Sequence, residues 1–195
     1  MRIIGGQHRG RQLKAPGGTQ TRPTFDRTRE SLFNILEHGL GNDAPIIEGA
    51  NVLDVFAGSG ALGLEALSRG ATGITFIERN ANAARAIQAN AATLGAGSPG
   101  ADRIVTILKL DATRLAVPPR TAHTPAQIVF LDPPYGEGLF LPALLGLAQK
   151  GWLAKGAVVV VEVGAKEEPA FPPAFRLLDQ RTYGAAKVSF LKFDG

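Results

Sequence analysis

The sequence has no cysteine, which excludes disulfide bonds and thiolate metal sites and is typical of a reducing compartment. It also lacks any uninterrupted apolar stretch of the roughly 18–20 residues that a membrane-spanning helix needs. Residues 1–13 contain no long apolar region of the kind that marks a signal peptide. The histidines His8, His38 and His123 lie far apart in the chain, so no metal site is expected. We therefore expect a cytoplasmic protein without a membrane partner, and nothing in the sequence demands more than a monomer.

Acidic residues are scarce at the N-terminus, where Asp26 is the only acid before residue 30. The basic residues of the same stretch are Arg2, Arg9, Arg11, Lys14, Arg22, Arg27 and Arg29. Such a segment favours a polyanion, because each phosphate that is neutralised releases counterions; an ordinary solvated basic arm is the alternative. We divide the chain into a basic extension, residues 1–25, and a main domain, residues 26–195. Within the extension, Met1–Ile4 and Gln12–Lys14 could pair as a small hairpin that binds RNA.

The main domain begins with a predicted helix and continues as alternating strands and helices. Asp26 is placed to cap a helix that runs through Glu37 and ends at Gly39 and Gly41. From Asn51 onward, near-continuous apolar strands separated by helices indicate a parallel sheet covered on both faces. The last two predicted strands are joined by a tight connection at Gly184, which requires an antiparallel pair. We expect an α/β, Rossmann-like fold with a mostly parallel seven-stranded sheet and a C-terminal antiparallel hairpin.

A glycine-rich stretch, "LDVFAGSGALGLEA", joins the first predicted strand to the following helix. Its glycines Gly58, Gly60 and Gly63 match the pattern G-x-G-x-x-G of dinucleotide-binding loops, and Glu78 ends the next strand, where an acid can bind a ribose. A merely tight turn is the alternative. A lysine after the loop would indicate a phosphate-binding P-loop, but Ala61 and Leu62 stand there, which excludes that interpretation.

The glycine pattern alone does not separate a nicotinamide cofactor from S-adenosylmethionine. Asp54 favours S-adenosylmethionine, because a carboxylate at the end of the first strand suits a cationic amino acid group and not a pyrophosphate. Asp111 follows the third strand, where it could accept a hydrogen bond from an adenine amino group while the Ala112 backbone N–H contacts the ring. Asp111 as a plain loop cap is the alternative.

The stretch "DPPY", Asp132 to Tyr135, follows the fourth predicted strand. Ligands of open parallel sheets bind at the carboxyl ends of strands, so this turn and the glycine loop are expected to meet. The Asp132 carboxylate and the Pro133 carbonyl could accept the N–H bonds of an exocyclic amine on a base and aim its lone pair at a methyl donor. Pro133 and Pro134 fix that carbonyl through their restricted φ. Tyr135 could stack on the base.

These features resemble the RsmD family, bacterial class I S-adenosylmethionine-dependent methyltransferases that act on guanine of small-subunit ribosomal RNA. The resemblance rests on "FAGSGALGLEALSRGA", Glu78 and "DPPY", and above all on the N-terminal "MRIIGG", "RGRQL" and "RPTFDRTRESLFNIL". It implies methylation of the 2-amino group of one guanine in 16S ribosomal RNA, within the small ribosomal subunit or an assembly intermediate. The alternatives are an adenine 6-amino target in RNA or DNA, an NAD-dependent oxidoreductase, and an RNA-binding module without chemistry.

The resemblance also implies roles for individual residues. Asp132, Pro133, Pro134 and Tyr135 match the catalytic turn. The positions expected to bind the cofactor are Arg22, Thr24, Asp54, Phe56, Ala57, Gly58, Ser59, Gly60, Glu78, Arg79, Asp111, Ala112 and Asp132. The positions expected to bind nucleic acid are Arg2, His8, Arg9, Arg11, Lys14, Arg22 and Arg27, with His8 standing where the family is expected to have an aromatic residue. Glu65, Glu162 and Trp152 are more typical of helix, strand-end and packing positions than of catalysts.

Overall fold

The computed structural model describes residues 1–16, 23–96 and 104–195 of the chain. Within these ranges the chain forms one seven-stranded sheet in the order β3-β2-β1-β4-β5-β7-β6. The strands are β1 (Asn51–Val55), β2 (Gly73–Ile77), β3 (Ile104–Leu108), β4 (Ala126–Leu131), β5 (Leu153–Gly164), β6 (Phe175–Tyr183) and β7 (Ala186–Phe193). Strands β1 to β5 pair in parallel, while β7 pairs antiparallel with both β5 and β6. The predicted Rossmann-like sheet and its antiparallel C-terminal hairpin are confirmed.

The helices follow the strands in the order that the sequence predicts. They are α1 (Pro23–Asn34), α2 (Ala61–Ser68), α3 (Ala81–Thr93) and α4 (Phe140–Gln149). Short 3₁₀ segments lie at Gly41–Asp43 and Ala112–Arg114. Helix α3 begins where the Asn80 side chain accepts the N–H groups of Asn82 and Ala83, which satisfies two donors that the first turn leaves unpaired. No helix in the described ranges is long and apolar enough to cross a membrane.

The central strands are buried on both faces of the sheet, and their successive apolar residues point to opposite sides. On β1, Val52 packs in the core beneath α1, α2 and α3, whereas Leu53 packs in the core beneath α4. Ile128 and Val129 divide between the same two cores on β4. This double burial explains why the strands read as near-continuous apolar runs. Trp152 is fully buried in the α4 core, and its indole N–H donates to the carbonyl of Ala116 at 2.8 Å.

Helix α1 differs from its prediction at the start. The helix begins at Pro23, and Asp26 lies in its first turn, where its carboxylate pairs with Arg29 at 2.9 Å. The prediction that Asp26 caps the helix was therefore wrong. Proline suits the first helical position because the N–H that it lacks has no partner there. After Asn34 the backbone continues as a π-helical segment, Ile35–Gly39, so the helical path ends at Gly39 as predicted.

The N-terminal arm, residues 1–16, packs onto the main domain. Arg2 and Gln12 form an antiparallel bridge, and the N–H of Leu13 donates to the carbonyl of Met1 at 3.0 Å, so the two predicted segments do pair. Ile3 and Leu13 are buried in the core beneath α1, α2 and α3. The proposed boundary at residue 25 falls inside α1, and a separate RNA-binding role for residues 1–25 stays a prediction.

Candidate active site

A cleft of about 510 Å³ lies along the carboxyl ends of the central parallel strands. It is lined by Phe56, Gly58, Ile77, Glu78, Arg79, Leu110, Ala112, Asp132, Pro133, Pro134, Tyr135 and Glu162. The sheet order places the ends of β2, β1, β4 and β5 side by side, so loops that are distant in the sequence meet here. The glycine loop and the "DPPY" turn therefore share one cavity.

Every second residue of the glycine loop from Phe56 to Gly60 is left-handed. Phe56 has φ 60°, Gly58 φ 55° and Gly60 φ 76°, and the N–H of Gly60 donates to the carbonyl of Ala57 at 2.7 Å. A left-handed conformation is unusual for a bulky aromatic residue, and such strain concentrates at functional sites. The strained turn places Phe56 in the lining of the cleft, which fits a role in covering a ligand.

The three glycines of the motif serve different purposes. A Cβ on Gly63 would lie 2.5 Å from the Phe76 ring, so Gly63 allows α2 to approach β2. A Cβ on Gly60 would lie 3.2 Å from both Ile87 and Phe76. A Cβ on Gly58 would meet nothing nearer than the Phe56 carbonyl oxygen at 3.9 Å. Because Gly58 also lines the cleft, the space beside its backbone is where a ligand can approach closely.

Glu78 lies where the sequence places it, directly after β2. Its side chain is only 9% exposed, and its carboxylate accepts the N–H of Gly58 at 2.8 Å and the N–H of Asn80 at 2.7 Å. These bonds hold the carboxylate against the glycine loop at the cleft wall. Each oxygen keeps a second lone pair, so the carboxylate can still accept the hydroxyl groups of a ribose. Arg79, the next residue, lines the same cleft.

Asp54 is part of the scaffold of the loop and does not line the cleft. It is 2% exposed, and its carboxylate accepts the N–H of Gly63 at 2.8 Å. Burial, opposed by this bond and reinforced by the charge of Glu78, raises the pKa of Asp54 to about 7. Asp54 therefore ties β1 to the start of α2, and its expected contact with a cationic donor stays a prediction.

Asp111 caps the short helix that follows it. Its carboxylate accepts both the N–H of Thr113 at 2.9 Å and the Thr113 hydroxyl at 2.7 Å, through the same oxygen. These two bonds lower the pKa of Asp111. The neighbouring residues Leu110 and Ala112 line the cleft, so the structure places this segment beside the cavity while Asp111 holds its backbone in shape. A contact of Asp111 with adenine stays a prediction.

The "DPPY" turn forms the opposite wall of the cleft. Asp132 directly follows β4, Pro133 is buried, and Tyr135 is exposed by 43%. Burial, reinforced by the charges of Glu162 and Asp54, raises the pKa of Asp132 well above its ordinary value. Among the described residues, no side chain or backbone group hydrogen-bonds to the Asp132 carboxylate, so its oxygens are free to accept from a ligand. The turn thus offers a half-exposed aromatic ring beside an unsatisfied acceptor.

Glu162 is the site residue that the sequence analysis set aside. The Tyr135 hydroxyl donates a hydrogen bond to its Oε1, and burial raises the pKa of Glu162. The neighbouring acid Glu167 accepts the N–H of Gly136 at 3.1 Å and the N–H of Gly164 at 2.8 Å, which anchors the loop after Tyr135 to the end of β5. The position of Glu162 near the carboxyl end of a parallel strand was the available signal.

The basic residues of the N-terminus separate into two groups. A groove of about 390 Å³ is lined by Arg2, Arg9 and Arg27, together with other residues that include two acids. Arg29, in contrast, is 6% exposed and pairs inside the protein. The remaining residues proposed for nucleic-acid contact are the exposed Arg11 and Lys14, the half-buried His8, and Arg22, which lies outside the described residues.

The arm also touches the glycine loop. The side-chain amide of Asn90 donates to the carbonyls of both Lys14 and Ser59, at 2.9 and 3.0 Å. The Ser59 hydroxyl contacts the sulfur of Met1 at 3.5 Å. The arm is therefore bonded to the back of the loop that lines the cleft.

Thr24 is the last of the residues predicted to bind the cofactor. Its backbone lies in the first turn of α1. Within the described ranges, no cluster of acidic, histidine or cysteine side chains could hold a metal ion.

The sheet order and the shared cleft define a class I methyltransferase fold, and comparison with known proteins narrows this class. The model of the family described as "Conserved hypothetical protein 95" matches residues 1–192. Ribosomal RNA small subunit methyltransferase D of Escherichia coli K12 is 44% identical over 162 residues, which are 83% of this chain and 74% of that relative. The chain belongs to this family, that of ribosomal RNA small subunit methyltransferase D, as the resemblance predicted.

Other members and solved structures match this chain over nearly its whole length. Ribosomal RNA small subunit methyltransferase D of Haemophilus influenzae is 38% identical over 185 residues, which are 94% of this chain and 89% of that relative. The solved structure of yhhF from Escherichia coli, which is named as a methyltransferase, superimposes with a TM-score of 0.79 at 38% identity. That likeness covers 100% of this chain and 98% of the solved one. The family relationship therefore includes the arm as well as the sheet.

Proposed function

We propose that this protein transfers a methyl group from S-adenosylmethionine to the exocyclic 2-amino group of one guanine in 16S ribosomal RNA. The observation that carries the proposal is the single cleft in which the Gly58 backbone faces the "DPPY" turn. The family supports the substrate class, because the relatives in Escherichia coli and Haemophilus influenzae are named as methyltransferases of small-subunit ribosomal RNA. We further propose that the protein acts as a monomer in the cytoplasm, on the small ribosomal subunit or its assembly intermediate.

The residues of the cleft fit a nucleoside methyl donor. The space beside Gly58 admits a close backbone contact, Glu78 offers acceptor lone pairs to a ribose, and Leu110 and Ala112 offer an apolar wall to an adenine ring. When bound, S-adenosylmethionine supplies a methyl group whose bond to the positively charged sulfur breaks as the lone pair of the amine nitrogen bonds to the carbon. Geometry supplies much of the acceleration, since oriented intramolecular reactions reach effective molarities of about 10⁵–10⁸ M.

The "DPPY" turn fits the acceptor amine. The lone pair of a guanine amine is delocalised into the ring, which makes the nitrogen a poor nucleophile. The Asp132 carboxylate and the Pro133 carbonyl accept its two N–H bonds, hold the nitrogen in place and favour the positive charge that develops on it. The proton that the nitrogen then releases can pass to Asp132, whose raised pKa suits a proton acceptor, or to water. Tyr135 stacks on the base with its exposed face.

The basic groove fits the RNA around the target. A guanine must leave its stack to reach the cleft, which is easiest in single-stranded loops of RNA. The groove of Arg2, Arg9 and Arg27 can hold backbone phosphates while the base enters the cleft. The bonds of Asn90 to Lys14 and Ser59 join the arm to the glycine loop, beside which the donor is proposed to bind.

Methylation of RNA from a strain that lacks the protein tests the proposal. Purified protein and labelled S-adenosylmethionine should modify one nucleotide, and digestion should release N2-methylguanosine. Recovery of N6-methyladenosine would instead support the adenine alternative. S-adenosylhomocysteine should raise the melting temperature, and stabilisation by NAD alone would favour an oxidoreductase. Asp132→Ala should abolish transfer while RNA binding persists, with Glu137→Ala, an exposed acid of the next turn, as the matched control.

A further inference from the structure

We propose that Glu162 identifies the target base by accepting the N1–H of guanine beside the reacting amine. This inference rests on the proposed function and adds the residue that discriminates between guanine and adenine as the target base. Glu162 lies on β5, outside the "DPPY" turn and outside the glycine loop, yet its side chain lines the same cleft. Its role is thus a contact with the base and is separate from the binding of the donor.

The register of the sheet places Glu162 beside Asp132. Leu131 on β4 pairs with Val161 on β5 in a parallel ladder, so the next residues along the two strands, Asp132 and Glu162, are neighbours at adjacent strand ends. Both side chains line the cleft. Two carboxylates therefore stand next to each other on the wall where the target base is expected. Neighbouring strands lie about 4.7–4.9 Å apart, so side chains from these two positions can converge on neighbouring groups of a single base.

The hydrogen bonds of Glu162 leave an acceptor for a ligand. Oε1 accepts the Tyr135 hydroxyl, and within the described ranges Oε2 has no hydrogen-bond donor. No lysine or arginine of the described chain pairs with Glu162. The nearest cation in the ladder, Lys187 opposite Val163, is engaged by the Glu168 carboxylate at 2.7 Å and the Glu167 carbonyl at 2.6 Å. A half-buried carboxylate without a cation is stabilised only when a donor group meets it.

The Watson–Crick edge of guanine supplies that donor. Guanine presents N1–H directly beside its 2-amino group, so a base whose amine is held by Asp132 and the Pro133 carbonyl brings N1–H to the next acceptor in line. Adenine presents a lone pair at N1, which a carboxylate repels. A site built to receive an N–H group discriminates strongly against an analogue that lacks it, because the buried acceptor is then left unpaired.

The test compares guanine with 2-aminopurine at the target nucleotide of an RNA fragment. 2-Aminopurine keeps the 2-amino group but has a lone pair at N1 in place of N1–H and hydrogen in place of O6. The change of preference in Glu162→Gln therefore isolates the contribution of Glu162. The wild-type protein should prefer guanine in kcat/KM by about 10- to 100-fold, the usual worth of a hydrogen bond to a charged group. Glu162→Gln should bring this preference close to unity, because an amide can donate to the N1 of 2-aminopurine and the glutamine has the same shape.

Two controls separate base recognition from a structural role. Glu137→Gln makes the same charge change on an exposed acid and should keep the wild-type preference. The melting temperature and the affinity for S-adenosylhomocysteine should be the same in Glu162→Gln and in the wild type. An unchanged preference in Glu162→Gln, or a loss of transfer to both bases by one factor, would overturn the inference. Failure of the wild-type protein to methylate guanine at all would instead overturn the proposed function.

The pH profile gives a second readout. The ionised Glu162 carboxylate can only accept, whereas the protonated carboxyl can also donate to the N1 of 2-aminopurine, and burial raises the pKa of Glu162. The ionisable groups around it are Asp132, which directly follows β4, Asp54 on β1, Tyr135 and Glu167 in the adjoining loops, and the internally paired Lys187 on β7. We expect the guanine preference of the wild type to fall as the pH falls and Glu162 takes up a proton. In Glu162→Gln the preference should not vary with pH, and a parallel pH dependence in both proteins would contradict the inference.

Discussion

The hydroxyl of Tyr135 donates a hydrogen bond to Oε1 of Glu162, which joins the loop after β4 to the carboxyl end of β5. Burial, together with this bond and the nearby acids, raises the pKa of Tyr135, so the phenol stays a donor at neutral pH. The ring itself is 43% exposed. One residue thus orients a carboxylate with its hydroxyl and offers an aromatic face to a base.

Removing only the hydroxyl separates these two roles. Tyr135→Phe keeps the ring but frees Glu162, and we expect kcat/KM for RNA methylation to fall by about tenfold, the worth of one hydrogen bond to a charged group. Tyr135→Ala also removes the stacking surface, which is worth about 1–3 kcal/mol per base, and should lose a further factor of about ten or more. Steady-state methyl transfer measures both. Equal losses in the two variants would show that the ring does not stack on the base.

Gly58 provides a direct test of the donor site. In Gly58→Ala the methyl group would project from a backbone with φ 55° into the space beside the cleft, so the affinity for S-adenosylhomocysteine should fall at least tenfold. The left-handed backbone adds about 1–2 kcal/mol of strain. Gly151→Ala is the matched control, because Gly151 has φ 79° and no neighbouring atom within 4 Å but lies in the turn between α4 and β5. Calorimetric titration of both variants should show weakened binding only for Gly58→Ala.

Local patterns made much of the fold and of the cleft predictable. The strands are recognisable as apolar runs because both faces of the sheet are covered, and the glycine loop and the "DPPY" turn are contiguous in the chain. Glu162 escaped prediction because its partner Tyr135 is 27 residues away. The role of Glu65 in holding the arm escaped prediction because its partner Ile4 is 61 residues away. A single sequence marks where an acid stands but not which distant group the fold brings to it.

Glu65 holds the arm to the main domain from a fully buried position. Its carboxylate accepts the N–H groups of Ile4 and Gly5, both at 2.8 Å, and pairs with Arg69 at 3.0 Å and Arg29 at 3.7 Å. Glu65→Ala leaves two buried guanidinium groups with fewer partners, and we expect the free energy of unfolding to fall by about 3–5 kcal/mol. Urea unfolding measures this loss.

An exposed acid supplies the comparison for Glu65. Glu48→Ala removes the same charge from the surface and should change the stability by no more than about 0.5 kcal/mol. Hydrogen exchange adds a local readout, since the amides of Ile4 and Gly5 should lose protection in Glu65→Ala before the strands do. Equal stabilities for the two variants would show that the arm does not depend on Glu65.

The basic groove predicts a salt-dependent contribution to RNA binding. Arg9→Glu and Arg27→Glu should each weaken the binding of the RNA substrate and lower the slope of log K against log salt by about 1 for each phosphate that the variant no longer neutralises. Affinity for S-adenosylhomocysteine should remain at the wild-type value. Lys150→Glu makes the same charge change on an exposed residue at the end of α4, which packs on the opposite face of the sheet. If this control weakened RNA binding equally, or if the groove variants lost donor affinity in parallel, the groove would have no specific role in binding RNA.

Asp54 makes the stability of the protein depend on pH near neutrality. Its pKa in the folded protein is raised from 3.8 to about 7, so folding favours the protonated carboxyl. The stabilisation from that proton is present below pH 3.8 and is lost as the pH rises through about 7. In Asp54→Asn the side-chain amide oxygen can still accept the Gly63 N–H, but the side chain has no ionisable group. The stability of Asp54→Asn relative to the wild type should therefore increase with pH by up to about 1.4 kcal/mol per pH unit across this window and level off above it.

Asp43 is the matched control with the opposite sign, because its bonds to Lys192 and Arg176 lower its pKa. The stability that the ionised Asp43 contributes is present at neutral pH and is lost only as the pH falls through that lowered pKa. Asp43→Asn should therefore differ from the wild type by a constant amount between about pH 5 and pH 8. Urea unfolding at several pH values measures both variants. If the stability of Asp54→Asn relative to the wild type were as independent of pH as that of Asp43→Asn, the carboxyl of Asp54 would already be ionised throughout this range. Burial would then not govern the pKa of Asp54.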